Sequence, residues 1–446
     1  MREHRHTVSL FDTGLKPDVS EFRQVLEEKK PDALILYDDG FNYLTKMCLT
    51  NMREAAFDMI AMAKELNLPV LVSSSDSTDH YTKYLEAGAD IIMLGEAEET
   101  LKECLHQIEL NKSLEDVKGI AFRKNGDIVC NPRRPVIRDL DTIPAPAWDL
   151  IDIDAYKRVW ASGKYDFAIN VATTRGCPFK CNWCAKPIYG NRYNSRSPKE
   201  VVAELDMLTS TFGTHRFWMC DDIFGLKPGW VKQFKDELQK RNLKISYKIQ
   251  SRADLLLEED NIQDLADSGL YEVWLGAESG SQKILDAMDK GTTIEQIKTS
   301  TKKLQSLGVR VAFFLQFGYQ GETRDDIDKT IAMVRELKPD DIGISVSYPL
   351  PGTKFFDRVK EELGNKQNWT DSDDLAMMFK GTFNSTFYKT LQRLVHRMFR
   401  KQLAIQFVKN GFRSSDPLML RNMLLLPYNA IMEAILNIRL RRMNNR

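Results

Sequence analysis

The stretch "TTRGCPFKCNWCAKPIYG", Thr173–Gly190, crowds Cys177, Cys181 and Cys184 into eight residues. Three thiols this close cannot all pair off as disulfides, and a chain of this length does not need them to hold its core. The spacing is Cys-x3-Cys-x2-Cys. Iron–sulfur cubes are normally held by four thiolates, one per iron. With three, one iron keeps an exchangeable position, by the same logic that leaves catalytic zinc an open site. A redox-active iron of that kind can bind a substrate or cofactor directly. The competing readings are a structural zinc site and an inert loop. Zinc knuckles bring four N/S ligands in two pairs, and here the fourth would have to come from His215 or Cys220 on another strand.

Outward from the triplet, the pattern is α/β. The candidate strands are "FAINVAT", "RFWMC", "ISYKIQS", "EVWLGAE", "VRVAFFLQF" and "IGISVSY". Helical periodicity separates them at Pro198–Phe212, Trp230–Arg241, Asp260–Ser268, Ile294–Leu307 and Asp325–Leu337. Six strands with five intervening helices predict a partial (β/α)6 barrel over residues 166–355, with its chemistry at the C-terminal strand ends. The cysteines follow the first of these strands.

Upstream, "TVSLF" (Thr7–Phe11), "ALILY" (Ala33–Tyr37), "PVLVS" (Pro69–Ser73) and "DIIML" (Asp90–Leu94) read as strands. Helical stretches around Val19–Lys29, Met52–Leu66, Tyr81–Ala87 and Thr100–Ile108 alternate with them. Residues 1–125 are therefore expected to form a doubly wound, Rossmann-like parallel sheet, its Val/Ile/Leu-rich strands buried on both faces. Asn125-Gly126 signals a hairpin. The Pro- and Asp-rich run Arg138–Tyr156 predicts a surface linker, so residues 126–165 are read as hairpin and linker. Residues 356–446 form a helical, basic extension; 387–446 carry twelve Lys/Arg against two acids.

Over 446 residues the formal net charge is zero, which gives no electrostatic case for a nucleic-acid partner. Of seven cysteines, Cys48, Cys104, Cys130 and Cys220 are scattered, unlike a disulfide framework, so a reducing cytosol is expected. No apolar run reaches signal-peptide or membrane-spanning length.

The triplet, with Trp183 just before its last Cys, resembles the radical SAM superfamily over roughly Asp166–Thr353. The resemblance implies a [4Fe-4S] cluster on Cys177, Cys181 and Cys184. It implies S-adenosyl-L-methionine on the open iron, and cleavage of that molecule to a 5′-deoxyadenosyl radical by an electron from a reductant such as flavodoxin or ferredoxin. The family's motifs recur in barrel order. "CDDIFG" places an acid for the methionyl amine at Asp222, with Asp221 second; the alternative is an N-cap pair. "QSRADLL" offers Arg252 to the methionyl carboxylate as a bidentate fork, against a surface ion pair. "GAESGSQKIL" resembles the ribose and methionine contact at Glu278, Ser279 and Gly280, against a tight strand-to-helix turn. "LQFGYQGET" is similar to Gly-x-Pro-Gly-Glu-Thr with Gln320 in place of Pro, and makes Gln316 a candidate contact. "YPLPGTKFF" matches the family's closing Pro-Gly-Thr. Cys220 reads as a buried strand thiol.

The N-terminal half is similar to the cobalamin-binding subfamily of that superfamily. The resemblance rests on "GADIIMLGEAEETLKECL" and the linker "LDTIPAPAWDL". It departs in two places. "SSSDSTDH" (Ser73–His80) stands where the subfamily has Gly-Gly to let the cofactor's nucleotide tail lie on the backbone. The series also opens without the strand and helix that usually come first, so the N-terminus reads as truncated or the domain as degenerate. No Asp-x-His-x-x-Gly motif offers cobalt a histidine, and His80 reads as a surface residue.

In the tail, "LRNMLLLPYNAIMEAILNIRLRRMNNR" mixes apolar residues with Arg439, Arg441, Arg442 and Arg446. Pro427 is expected to split it into two helices. These cap the barrel's open end, or lie on an anionic membrane, giving a cytoplasmic protein with peripheral contact at the inner membrane face. The leading expectation is a cobalamin-dependent radical SAM methyltransferase acting on an unactivated carbon of a small-molecule or lipid substrate. The alternatives are radical cyclisation, rearrangement or oxidation without methyl transfer, and a non-enzymatic zinc- or cobalamin-binding module. A methylthiotransferase is disfavoured, since Cys48, Cys104 and Cys130 do not supply its extra cluster.

Overall fold

The structure, a computed structural model, describes residues 1–37, 50–161, 166–186, 188–364, 375, 377–409 and 417–443. Cys48 and Arg446, both used above, lie outside the described residues. The chain divides into two compact units. The first is built from Met1–Pro178 and Ala185–Ile245, the second from Phe179–Cys184, Ser246–Gln367 and Ser372–Arg446.

In the first unit, β1 (Leu34–Tyr37), β2 (Val70–Ser73) and β3 (Ile91–Met93) run parallel in sequence order. The hairpin β4 (Ile120–Lys124) and β5 (Asp127–Cys130) continues the sheet antiparallel from β3. Its turn residues Asn125 (φ 52°) and Gly126 (φ 90°) are both left-handed, as a two-residue hairpin turn requires. Alternation sends Val70, Val72 and Ile92 to one face, against Phe22, Leu26, Ile60, Ala63, Tyr84 and Leu85 of three helices. Leu71, Ile91 and Met93 face the other way, against Cys104 of the helix Glu98–Glu109. Helices thus cover both faces, and the strands are buried on both sides as their composition requires.

Two elements differ from expectation in this unit. Thr7–Phe11 is not a strand: Leu10 is exposed, and Phe11 packs on Phe22 with ring centroids 5.0 Å apart. Its alternation serves one anchoring side chain rather than a ladder. The surface linker ends in a helix, Ile153–Ala161, because Asp152 Oδ1 caps it by accepting from Ala155 N.

The first unit also holds β6 (Ile169–Val171), the short antiparallel pair β7 (Thr174–Arg175) and β8 (Asn194–Ser195), and β9 (Arg216–Met219), which pairs parallel with β6. The helix Pro198–Phe212 begins with a Ser197 cap and Pro198 in its first turn and ends at Gly213 (φ 62°).

The second unit carries β10 (Ser246–Ser251), β11 (Leu270–Glu278), β12 (Arg310–Phe317) and β13 (Asp341–Val346), parallel and in sequence order. Helices Asn261–Asp267, Ile294–Ser306 and Arg324–Leu337 make the crossovers. All six strands expected of the barrel series are therefore present, two in the first unit and four in the second. Helix Ser385–Lys409 then packs against Arg324–Leu337 and β13. The terminal helices are Pro417–Leu424 and Leu426–Met443. Pro427 falls in the first turn of the last helix, where its missing N–H costs nothing.

Candidate active site

The cysteine loop starts from a buried carboxylate. Asp221, just past β9, is 1 % exposed. Its Oδ1 accepts from Thr173 N (2.7 Å) and Thr174 N (2.8 Å), and its Oδ2 from the Thr173 hydroxyl. Burial pushes its pKa up to about 7, with those bonds pulling the other way. Asp221 is thus the anchor of the loop's entry, and Asp222 beside it is half-buried. Gly176 cannot be replaced cheaply: its φ is 78°, and a Cβ there would sit 2.4 Å from Arg192 O.

The loop's second half is pinned within the second unit by Asn182, which the sequence did not single out. Its amide N–H donates to Met288 O (3.0 Å), its Nδ2 to Ala287 O (2.7 Å), and its Oδ1 accepts from the Tyr319 hydroxyl (2.7 Å). Trp183 beside it is buried at 9 % exposure. Arg252 follows β10. Its guanidinium forks onto Asp254 (3.0 and 2.9 Å) and also donates to Lys290 O and Thr292 Oγ1. Its Nη1 reaches toward Cys181 Sγ at 3.9 Å, and the group lies 3.6 Å from the Phe179 ring centroid. The fork expected for a ligand is thus engaged by Asp254, and the remaining arm points at a cysteine.

Glu278 ends β11 at a bulge with φ 58°, a conformation rare for a residue with a side chain. Its Oε1 takes a 2.8 Å bond from Lys290 Nζ, both side chains being buried. Burial works against the Lys290 ammonium, but Glu278 and then Cys181 more than offset it and hold its pKa above the ordinary value. Arg252 therefore reaches Cys181, and the Lys290 charge interacts with Cys181 through space.

Ser279 and Gly280 touch the helix Arg324–Leu337. Ser279 Oγ lies 3.2 Å from Thr330 Oγ1, and Gly280 N donates to that same oxygen. A Cβ at Gly280 would stand 2.4 Å from Lys329 O, so the close approach this glycine permits is to a helix backbone. Gln316 is 2 % exposed and donates to Ser347 Oγ at 3.1 Å. In "GYQGET", Glu322 Oε2 accepts from Gly318 N at 2.6 Å, while Oε1 is buried without a hydrogen bond. Burial pushes this carboxyl up to about 8, partly offset by Gly318 N–H. Gln320, in the place of the expected proline, is exposed.

At the C-terminal ends of β1, β2 and β3 a narrow cleft is lined by Tyr37, Ser73, Ser74, Gly95, Glu96, Ala97, Glu98, Ile188 and Tyr189. This is where doubly wound sheets bind ligands. The serine run does not stay loop. It starts a short helix, Ser75–Asp79, with a reciprocal cap between Ser74 and Ser77. Asp76 is buried against Arg53 (2.7 and 2.5 Å) and the Tyr84 hydroxyl (2.8 Å). His80, expected at the surface, is half-buried, with Nε2 3.8 Å from Asp76 Oδ1, and burial lowers its pKa. Glu96 and Glu98 both hold Arg175, two residues before Cys177. Arg175 also lies over the Tyr189 ring at 5.6 Å. The segment lining the cleft is thereby tied to the start of the cysteine loop.

Cys177, Cys181 and Cys184 are all partly exposed and outside disulfides, whereas Cys104 is buried with its thiol pushed up to about 12. Cys220, expected buried, is also partly exposed. Among the described residues no three His, Cys, Asp or Glu side chains converge on a single-ion site. A cube gives each thiolate its own iron, so its ligands stand further apart than those of one ion. Within the second unit, the partly exposed Cys181 and Cys184 with Arg252 reaching toward Cys181 suit thiolate ligation of an anionic group. The cleft is smaller, about 300 Å³ of empty space including its open mouth. Its volume suits one end of a large cofactor rather than a whole macrocycle, and the small Ser73, Ser74, Gly95 and Ala97 leave room for close approach.

Residues 171–334 match the Radical SAM superfamily. The chain is 27 % identical over 377 residues to an uncharacterized methyltransferase of Pyrococcus horikoshii, covering 83 % of this chain and 78 % of that one. It is 29 % identical over 372 residues to the anaerobic magnesium-protoporphyrin IX monomethyl ester cyclase of Rubrivivax gelatinosus, covering 81 % of this chain but 64 % of the cyclase. In fold it is similar to the radical S-adenosylmethionine methyltransferase TsrM of Kitasatospora setae with cobalamin and a [4Fe-4S] cluster bound (TM-score 0.70, 17 % identity, 82 % of this chain, 74 % of that one). It is also similar to the cobalamin-dependent S-adenosylmethionine radical enzyme OxsB (TM-score 0.72, 17 % identity, 98 % and 68 %). Residues 171–334 thus match the Radical SAM superfamily, and the fold of the chain is similar to that of TsrM and OxsB.

Proposed function

We propose that this chain is a cobalamin-dependent radical SAM methyltransferase that methylates an unactivated carbon of a small-molecule or lipid substrate in the cytoplasm. The observation that carries it is the pairing of Arg175 with Glu96 and Glu98, which joins the lining of a strand-end cleft to the entry of the cysteine loop. When bound, the cluster would supply an electron to S-adenosylmethionine, and cobalamin would supply a methyl carrier. Cys177, Cys181 and Cys184 would hold the cluster. Asp222 would accept hydrogen bonds from the methionyl ammonium. Asp221, Asn182 and Lys290 would position the loop and Glu278, with flavodoxin or ferredoxin as the electron source.

The test is anaerobic turnover with product counting. Equal S-adenosylhomocysteine and 5′-deoxyadenosine fit methyl transfer through two S-adenosylmethionine molecules; absence of 5′-deoxyadenosine rejects radical chemistry. The similarity to the cyclase, together with the serine-capped helix where the subfamily has Gly-Gly, favours one second reading, a radical ring closure without methyl transfer. That reaction would yield 5′-deoxyadenosine without S-adenosylhomocysteine.

A further inference from the structure

The last helix, Leu426–Met443, is turned the wrong way round for a water-soluble face. Its packed side carries Asn429 and Glu433 beside Leu436 and Leu440, all buried. Arg397 donates to Asn429 Oδ1 at 3.1 Å, and Glu433 pairs with Arg335 (3.3 Å) and Lys401 (2.6 Å). Its outward side shows Ile431 at 60 % exposure, Ile435 at 50 % and Ile438 at 53 %, with Leu424 of the preceding helix at 75 %. Single exposed apolar residues are ordinary. A spacing of four and three puts these isoleucines in one line on one face, and a contiguous apolar stripe marks an interaction surface.

The charges select the surroundings. Along the isoleucine face the next position is Arg442, about 17 Å from Ile431 at a helical rise, with Arg439 and Arg441 beside it, all exposed. The only acid in residues 417–443 is Glu433, which is buried and paired. Arginine stems lie along apolar surface while their heads reach out of it. An apolar stripe ending in uncompensated arginines fits an acyl layer under anionic headgroups. A second copy of the same helix laid parallel would bring like charges together. No described helix is long and apolar enough to cross a membrane.

We propose that this helix seats the chain on an anionic lipid bilayer, lying in the interface with Ile431, Ile435 and Ile438 in the acyl region and Arg439, Arg441 and Arg442 among the phosphates. The test is flotation of the full chain with phosphatidylcholine vesicles, with and without phosphatidylglycerol, alongside sedimentation velocity without lipid. Wild type should float with the anionic vesicles only, and high salt should weaken binding. The exposed-face variant I431S/I435S/I438S and the variant R439E/R441E/R442E should each bind at least about tenfold more weakly, with unchanged unfolding midpoints. Three results would overturn the proposal: no flotation, equal flotation with neutral vesicles, or a lipid-free dimer that the serine variant splits.

Discussion

Lys290 Nζ lies 2.8 Å from Glu278 Oε1, with both side chains 7 % exposed. Replacing Lys290 by Met leaves a buried carboxylate without its partner, at a cost of about 3–5 kcal/mol. The double variant K290M/E278Q should recover most of it in chemical unfolding. The charge of the same lysine interacts with Cys181. Reduction adds an electron to a cluster, and a nearby cation favours the more negative state. K290M should therefore make the cluster's midpoint potential more negative in a titration followed by electron paramagnetic resonance, and the double variant should move it part of the way back. Equal potentials in all three proteins would show that Lys290 acts on packing alone.

Serine at Cys177, Cys181 or Cys184 should each remove the brown colour and most of the iron, from about four per chain. Serine at Cys104 or Cys130 should leave iron and sulfide content unchanged. Loss of iron on replacing Cys130 would relocate the cluster.

Asp221→Ala strips Thr173 N and Thr174 N of their acceptor while both stay buried. About 1–3 kcal/mol per stranded group is expected, together with slower or incomplete cluster reconstitution. Asp221→Asn keeps one acceptor oxygen and should lose less on both measures.

Gly280→Ala drives a methyl into Lys329 O, and about 1–3 kcal/mol of overpacking should appear in the unfolding midpoint. If Gly280 instead makes room for a ligand, stability would hold and S-adenosylmethionine affinity would fall.

Glu322 has a folded pKa near 8, raised from 4.5. The native state holds the proton more tightly than the unfolded chain, so this contribution is full below 4.5 and is lost as pH rises through about 8. The slope approaches 1.4 kcal/mol per pH unit at most, about one proton. Glu322→Gln mimics the neutral form, and its stability should fall less between pH 6 and 8 than wild type in thermal unfolding.

The cysteine triplet was legible because three ligands within eight residues are a local constraint, whatever the rest of the chain does. The same holds for the six barrel strands and the Asn125-Gly126 turn. The sequence ranked Asp222 before Asp221 but gave no sign that Asp221 is buried under Thr173. Lys290 was not legible. Nothing in "MDKGTT" distinguishes it from a surface lysine, and its burial depends on β11 bulging at Glu278. The contact of Gly280 was not legible for a related reason: its neighbour, Lys329, is forty-nine positions away.

By itself the sequence determined the strand and helix periods, the thiol spacing and the mixed apolar and basic tail, since each depends on side chains a few residues apart. Tertiary structure alone decided which polar groups are buried together: Asp221 with Thr173, Lys290 with Glu278, Arg175 with Glu96, and Glu433 beneath a helix whose isoleucines face outward. Partnerships across a dozen to several dozen residues follow from how sheets and helices stack. A buried charge must find its partner in that stack, and no local pattern says where it will be.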